Sequence, residues 1–498
     1  MGVGSLIPIL YTPIMLRILG QQEYGLYKLS GSVTGYLSLL SLGIGSAIVR
    51  YLIKAQKQGG HTKEESVFSL FIALYRIIAV LVFVCGCFIS SNLDIWYSAS
   101  LDEASLLKLK TLAFIMTCNT SISFVLGPFS SIITAHERFI FLQTVGIFLT
   151  VFTPVVNLIA LYLNFGSIGL AYTTLFINVI SNLIYRYYVL KKLNIRIKYR
   201  NLPWRLANDI ASFSFWVFLA NLTSLLYNST DTLLIGAKPE LGANAVAVYA
   251  FGTILTSIVV QFTAAISNVL SPRVNDLFFS GATKEELTEL GIRVGRLQLF
   301  IVSSILAGFI SFGHTFIHFY VGDEYQEAFY ISLLTAIPIS IPLLQNVFLN
   351  VAMAEFKHKF RSLVYLSIAI INVIGTFLIL PYWGIIGAAF VTGASSLLGH
   401  GFIMNWYYGN KLGLGIIVFW KRLMPILIVP IILCILMPII SKSIDYTLAS
   451  FIISLVCFIS ILVILQYQIS MNEYEKNLLF KSLIKKIIKK NGSTQNNC

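Results

Sequence analysis

Residues 139–192 read FIFLQTVGIFLTVFTPVVNLIALYLNFGSIGLAYTTLFINVISNLIYRYYVLKK. No charged side chain occurs between Arg138 and Arg186, and Asn164-Phe165-Gly166-Ser167 is the one cluster of turn residues. A helix crosses the hydrocarbon core with about 20 apolar residues, so the segment predicts two crossings joined by a tight turn. Basic residues flank the pair, Arg138 before it and Arg186, Lys191 and Lys192 after it, which puts both ends on the same side of the membrane. Carrying this pattern along the chain predicts fourteen spans, near residues 3–19, 28–52, 67–91, 110–133, 139–163, 168–190, 209–236, 244–270, 295–318, 328–353, 361–380, 384–408, 422–441 and 447–468. The loops between them are too short for an extramembrane domain. The expected fold class is an all-α polytopic membrane protein, with chemistry confined to the bundle or its rims.

Composition agrees. The 498 residues are 57% hydrophobic and 11% charged, with a mean hydropathy of +0.82. A soluble domain is about 25% charged, so water-soluble architectures are excluded. The net charge of +14 is a matter of placement. With the N-terminus inside, 28 of the 35 Lys and Arg fall in cytoplasmic loops and the tail, six lie outside with nine acids, and Arg76 lies within a span. The basic excess is therefore a topology signal, both termini are expected in the cytoplasm, and nucleic acid is not an expected partner. The six cysteines show no paired zinc spacing and no disulfide framework, and are expected as buried small apolar side chains. Residues 1–16 hold no basic residue, so the first span is short and unflanked; further N-terminal residues are expected upstream, as an in-frame extension of the gene.

An internal repeat organises the spans. Ala135-His136-Glu137-Arg138-Phe139, leading to Gly166-Ser167-Ile168-Gly169-Leu170-Ala171-Tyr172, recurs as Ala354 to Phe360 leading to Gly384-Ile385-Ile386-Gly387-Ala388-Ala389-Phe390. More weakly, Leu19-Gly20 then Tyr27 recurs as Ile235-Gly236 then Tyr249. Six spans separate the copies, so two lobes insert in the same direction. The expected layout is an N-terminal lobe at 1–190 with spans 1–6, a cytoplasmic linker at 191–208, and a C-terminal lobe at 209–408 with spans 7–12. Spans 13 and 14 follow at 409–468, with a basic amphipathic tail at 469–498 that would lie on anionic lipid. Thr283-Lys284-Glu285-Glu286 has capping-box spacing ahead of span 9.

Ionisable residues inside spans cost roughly 2.5–3.5 kcal/mol on insertion scales and tend to mark a pathway. Arg76 lies in span 3 and Asp231 in span 7. Span 7 sets Asn221, Ser224, Asn228 and Asp231 on one helical face, and span 8 does the same with Tyr249, Thr253, Thr256, Thr263 and Ser267. Such faces either line a wetted cavity or make interhelical hydrogen bonds, and Arg76 and Asp231 either serve a pathway or form structural ion pairs. Pro8, Pro13, Pro154, Pro338 and Pro342 break the helical ladder inside spans. His314 and His318 share a helix face and His400 lies in span 12, but no adjacent carboxylate completes a metal site, so they are read as packing residues. No metal or cofactor is expected. No nucleophile elbow, phosphate loop or zinc-protease motif occurs, so an enzyme is disfavoured.

Thr12-Pro13-Ile14-Met15-Leu16-Arg17-Ile18-Leu19-Gly20-Gln21-Gln22-Glu23-Tyr24-Gly25-Leu26-Tyr27 resembles the opening signature of the Wzx-type oligosaccharide flippases. These belong to the multidrug/oligosaccharidyl-lipid/polysaccharide exporter superfamily. The resemblance continues through Ala47-Ile48-Val49-Arg50-Tyr51, Ala135 to Phe139, Ser271-Pro272-Arg273, Gly322-Asp323-Glu324-Tyr325 and Gly384 to Ala389, over nearly the whole chain. It implies a flippase of the bacterial inner membrane that moves a polyprenyl-pyrophosphate-linked repeat unit for O-antigen or capsule by alternating access. It also implies membrane lipids, a polysaccharide polymerase and glycosyltransferases as partners. Lipid II flippases carry arginines in the first helix and an arginine just after a Tyr-Ala pair in span 8. Here the region before Arg17 has none and Tyr249-Ala250 is followed by Phe251-Gly252, which implies another glycan.

On this reading Arg76 is the first candidate for the pyrophosphate, which needs fixed positive charge where water is scarce. Arg50, Arg273 and Arg17 are further substrate candidates, with Asn221, Asn228 and Tyr249 for the sugar. Asp231 is the candidate for coupling to H+ or Na+. Two alternatives stand beside it, a MATE-like cation-coupled drug antiporter and a membrane-embedded glycan polymerase or acyltransferase.

Overall fold

The computed structural model describes residues 2–199, 202–355, 358–441 and 447–477, and among them there is no strand. The long helices are α1 (Gly2–Leu19), α2 (Gln21–Gly35), α3 (Ile44–Ser91), α4 (Glu103–Leu126), α5 (Phe139–Tyr162), α6 (Gly166–Lys191) and α7 (Arg205–Ala237). They continue as α8 (Gly242–Phe279), α9 (Lys284–Tyr320), α10 (Ala328–Leu344), α11 (His358–Ser396), α12 (Ile428–Ser441) and α13 (Leu448–Leu465). The protein is an all-α polytopic membrane protein. Nine helices among the described residues are long and apolar enough to cross a membrane, and α10 with the helix Asn346–Ala354 makes a tenth, bent by 48°. Two of the nine, Ala47–Ser91 and Phe360–Asn410, run to 45 and 51 residues. At 1.5 Å per residue each is about twice the thickness of the hydrocarbon core. The second holds predicted spans 11 and 12, which part at Gly384, where φ is 56° and ψ −147°, a conformation that glycine alone adopts without strain.

Predicted span 2 needs correction. Its helix starts at Gln21 rather than residue 28, tightens into a 3-10 turn at Tyr36–Ser41 and stops at Leu42-Gly43 before α3 begins. Gly43 has φ 75°, and a Cβ there would sit 2.6 Å from the Ser214 carbonyl oxygen and 2.8 Å from Val217 Cβ. The break lets α7 come close to the backbone.

The chain forms two compact units. The first comprises the described residues of Met1–Gly252 and Tyr365–Ser395, the second those of Thr253–Val364 and Ser396–Cys498. In the first unit a core forms between α3 and the helix Pro128–Ala135, where Phe68, Phe71, Phe129, Ile132 and Ile133 are buried. Helix α5 turns Ile147, Val151, Val155 and Ile159 outward at a spacing of four, an apolar surface suited to lipid. Helices α2, α4 and α6 are tied at one end by Glu23. Its carboxylate accepts from Lys108 Nζ, from the Ser167 backbone N–H at 3.0 Å and from Ser167 Oγ at 2.5 Å, and so caps the start of α6. Burial raises the Glu23 carboxyl, but Lys108 and Ser167 outweigh it and hold the group below its ordinary 4.5. The sign follows from linkage: a depressed carboxyl contributes stability above its ordinary value and loses it as pH falls through the folded value. Glu23→Ala should cost about 1–3 kcal/mol near neutrality. In melts below pH 4.5 the wild type should lose stability more steeply than the variant, and equal slopes would refute the role.

Close approach also governs α2. A Cβ on Gly25 would lie 1.8 Å from the Ala243 carbonyl oxygen, whereas nothing lies within 4 Å of one on Gly31. Gly25→Ala should therefore destabilise by roughly 1–3 kcal/mol or more, with Gly31→Ala near neutral, as read by melting temperature in detergent.

In the second unit α9 opens with the expected capping box, Thr283 Oγ1 accepting from Glu286 N and Glu286 Oε2 from Thr283 N. Its far half packs against α12 and α13 through Phe312, Val429, Leu433, Phe451 and Phe458. Near its start Arg296 reaches the chain beyond α13. Its Nε and Nη2 meet Glu475 Oε1 and Oε2 at 2.5 and 2.9 Å, and Nη1 and Nη2 also donate to the carbonyls of Arg422 and Ser470.

Other expectations are corrected. Cys85, Cys87, Cys118 and Cys434 are only partly buried and Cys457 is exposed. The physical reason is that lipid-facing surface tolerates a thiol as well as a core does. His318 has a carboxylate beside it, Asp323 Oδ1 at 2.7 Å, brought back by the turn after α9. Of the basic amphipathic tail expected at 469–498, the residues from 478 on, with Cys498, lie outside the described residues.

Candidate functional site

Along α7 the polar face divides. Asn221, Ser224 and Asn228 are exposed, with Asn228 Nδ2 donating to the Ser224 carbonyl at 2.7 Å, while Asp231, two turns past Ser224, is 2% exposed. Three hydroxyls surround that carboxylate. Tyr249 of α8 donates to Oδ2 at 2.5 Å, Thr392 of α11 to Oδ2 at 2.6 Å, and Thr376 of α11 to Oδ1 at 3.1 Å. Asn372, one turn before Thr376, brings its Oδ1 to 3.0 Å from Thr392 Oγ1 and 3.5 Å from Thr376 Oγ1. All five residues belong to the first unit.

Among the described residues Asp231 has no cationic side chain beside it, so the ion-pair reading falls. Thr376 and Thr392 donate to Asp231, and the Asn372 Nδ2 of the same cluster is buried with no hydrogen-bond partner, so its hydrogens are the donors the cluster leaves unused. A buried carboxylate in such surroundings needs a positive partner or a proton. The donors are carboxylate, hydroxyl and amide oxygens, a set that suits a proton or a small hard cation and not a soft transition metal. No group of three His, Cys, Asp or Glu that could hold a metal occurs among the described residues.

Arg76 is exposed on α3, beyond the kink that the helix makes at Gly59 and Gly60, its guanidinium over the Tyr199 ring at 5.1 Å. Tyr199 lies in an irregular segment that follows α6 and is pinned along α3. Glu65 accepts from Arg196 N at 2.9 Å and pairs with Lys198 Nζ at 2.7 Å, and Ser69 Oγ accepts from Lys198 N at 2.8 Å. Arg76, too, has no ion pair among the described residues. Arg17 is exposed in the last turn of α1, Arg50 is exposed in α3, and Arg273 is exposed in the second unit on α8. Of the candidates the structure joins Tyr249 to Asp231. In the second unit two members of the span 8 face make interhelical bonds, Thr256 Oγ1 lying 2.7 Å from Thr335 Oγ1 and Ser267 Oγ accepting from Gln298 and Asn346, while Thr263 Oγ1 donates within α8 to the Val259 carbonyl.

Residues 1–278 match the model of a family described as polysaccharide biosynthesis protein. The chain belongs to that family. A relative from Bacillus subtilis (strain 168), the uncharacterized membrane protein EpsK, is 21% identical over 312 residues, which span 60% of this chain and 59% of that protein. Among solved structures, the lipid II flippase MurJ in an inward closed conformation superposes with a TM-score of 0.75 at 11% identity, covering 97% of this chain and 98% of its own. An inward-facing multidrug resistance MATE family transporter of the MOP superfamily gives 0.68 at 14% identity, covering 84% and 96%. These likenesses establish a shared fold.

Sequence reading of this polysaccharide biosynthesis protein missed Asn372, Thr376 and Thr392 as partners of Asp231. The available signal was an amide and a hydroxyl four residues apart inside an apolar span, one face of a helix. It also missed a further copy of the repeat: Thr62-Lys63-Glu64-Glu65 recurs as Thr283-Lys284-Glu285-Glu286, 221 positions on, the same offset as Phe139 to Phe360. Both copies contribute a partner to the Ala135 and Ala354 motifs, Glu64 to His136 Nε2 at 2.7 Å and Lys284 to Glu355.

Proposed function

We propose that this protein is a flippase for a polyprenyl-pyrophosphate-linked oligosaccharide repeat unit, moved from the cytoplasmic to the outer leaflet of a bacterial inner membrane for assembly of O-antigen or capsule. Both termini face the cytoplasm, and entry of H+ or Na+ at Asp231 drives alternating access. Glycosyltransferases supply the substrate and a polymerase consumes it. The observation that carries this reading is family membership together with a fold shared with the lipid II flippase MurJ over 97% of the chain, including the spans beyond the twelfth. The buried Asp231 cluster supplies what coupling requires, a carboxylate whose neutralisation changes the electrostatic cost of its own burial. A second reading, a cation-coupled drug antiporter, draws on the MATE likeness, which covers 84% of the chain.

Deletion of the gene tests the proposal. Lipid-linked repeat units should accumulate facing the cytoplasm and surface polysaccharide should disappear, both restored by the wild-type gene. Unchanged polysaccharide in the deletion strain would overturn it, and uptake of cationic dyes by liposomes bearing the purified protein, without lipid movement, would establish the antiporter instead.

A further inference from the structure

Lys28, the first residue of predicted span 2, is not the first residue of its helix. Helix α2 begins at Gln21, which sets Lys28 seven residues, or about 10 Å, inside it. The helix packs against α1, α4, α6 and α7, yet Lys28 is exposed. Among the described residues it has no ion pair; its ammonium lies 5.3 Å from the ring centroid of the buried Tyr24. One turn on, the space beside Gly31 is open. An ammonium with no counter-charge among the described residues and a bare glycine thus share a face of α2, and an anion seated there would compensate the charge.

Neutral hydrogen-bonding groups follow along α6 from Tyr27, the chain neighbour of Lys28. Tyr27 Oη lies 3.4 Å from Thr174 Oγ1 on α6. One turn further along α6, Asn178 Nδ2 meets Asn119 Oδ1 at 2.6 Å and Ser123 Oγ at 2.5 Å on α4, and its Oδ1 accepts from Asn182 Nδ2 at 2.6 Å. Asn119 Nδ2 and Asn182 Oδ1 make no hydrogen bond among the described residues, leaving one donor and one acceptor open. Amides and hydroxyls of this kind match the mixed donors and acceptors of a sugar.

The repeat shows that this half has diverged from the other. Thr174 corresponds to Thr392 in the register that sets Gly166 against Gly384, and Tyr27 corresponds to Tyr249. Five positions before Gly236 stands Asp231, but five before Gly20 stands Met15; after Tyr27 comes Lys28, but after Tyr249 comes Ala250. The shared tyrosine and threonine frame carries a carboxylate in one copy and an ammonium in the other.

We infer that Lys28, with Tyr27, Thr174, Asn178 and Asn119, forms a head-group subsite in which the ammonium takes the pyrophosphate and the hydroxyls and amides take the adjoining sugar. This rests on the flippase reading and assigns its anion site to the first copy of the repeat. The test uses the full chain in nanodiscs of zwitterionic lipid, with sugar-free undecaprenyl pyrophosphate as the probe and phosphatidylglycerol as the control phosphate. Lys28→Ala should weaken probe binding about tenfold or more, Lys28→Arg should retain it, and Gly31→Leu should weaken it by filling the open face. Asn119→Ala should bind the sugar-free probe normally yet lower polysaccharide export in cells. The inference is wrong if Lys28→Ala binds the probe like the wild type, if it weakens phosphatidylglycerol equally, or if Asn119→Ala exports normally. If the wild type itself fails to bind the probe, the flippase reading falls first.

Discussion

Asp231→Asn should reduce polysaccharide export to the level of a gene-deleted strain at equal protein abundance. The substitution keeps the size of the side chain and one acceptor oxygen for the hydroxyls of Tyr249, Thr376 and Thr392, so the fold should persist with a loss of about 1–3 kcal/mol. What it removes is the negative charge, and with it any reason for a cation to enter a dry site. The same variant identifies the coupling ion. If Na+ binds, adding it should raise the melting temperature of the wild type, by mass action worth about 2.7 kcal/mol at a concentration of 100 times Kd, and leave Asp231→Asn unmoved. If a proton binds, the wild-type melting temperature should follow pH and ignore Na+. Normal export by the variant would remove Asp231 from the mechanism.

The other large effect is expected at Glu475, which is 1% exposed. Its carboxylate is held by Arg296 in two places and closes a capping box with Asn472, whose N–H it accepts at 2.9 Å. Glu475→Ala leaves a nearly buried guanidinium half paired, at a cost of about 3–5 kcal/mol. In a unit of this size that lowers the melting temperature by on the order of 10 °C. Replacing both partners by methionine removes the charge with its counter-charge and should cost far less. The contrast between single and double substitution separates an electrostatic role from simple packing, and an unchanged melting temperature in Glu475→Ala would refute both.

The sequence was most legible where one physical quantity dominates. Transfer of apolar side chains into hydrocarbon is large and local, so the predicted stretches fall mainly on helical residues. The exception, the break inside span 2, turned on Gly43, where a helix about 170 residues away comes close to the backbone. The site was legible only in its charge. Asp231 stood out because it is costly in a span, whereas Asn372, Thr376 and Thr392 look like ordinary polar residues of a packed bundle until a fold brings them together. Arg76 was legible as a charge, but its stacking on Tyr199 depends on where an irregular segment lies, and no local pattern encodes that. Hydropathy starts predicted span 2 at the charge of Lys28, while the helix itself begins seven residues earlier.

The order in which the Asp231 cluster is made has its own consequence. Thr376 and Thr392 stand 145 and 161 residues downstream of the carboxylate they serve. While the ribosome is still extending the second half, Asp231 and Tyr249 have emerged and their remaining partners have not. During biogenesis that acid must wait as a neutral group or linger in the translocon, and chains released early should be preferred substrates for membrane proteases.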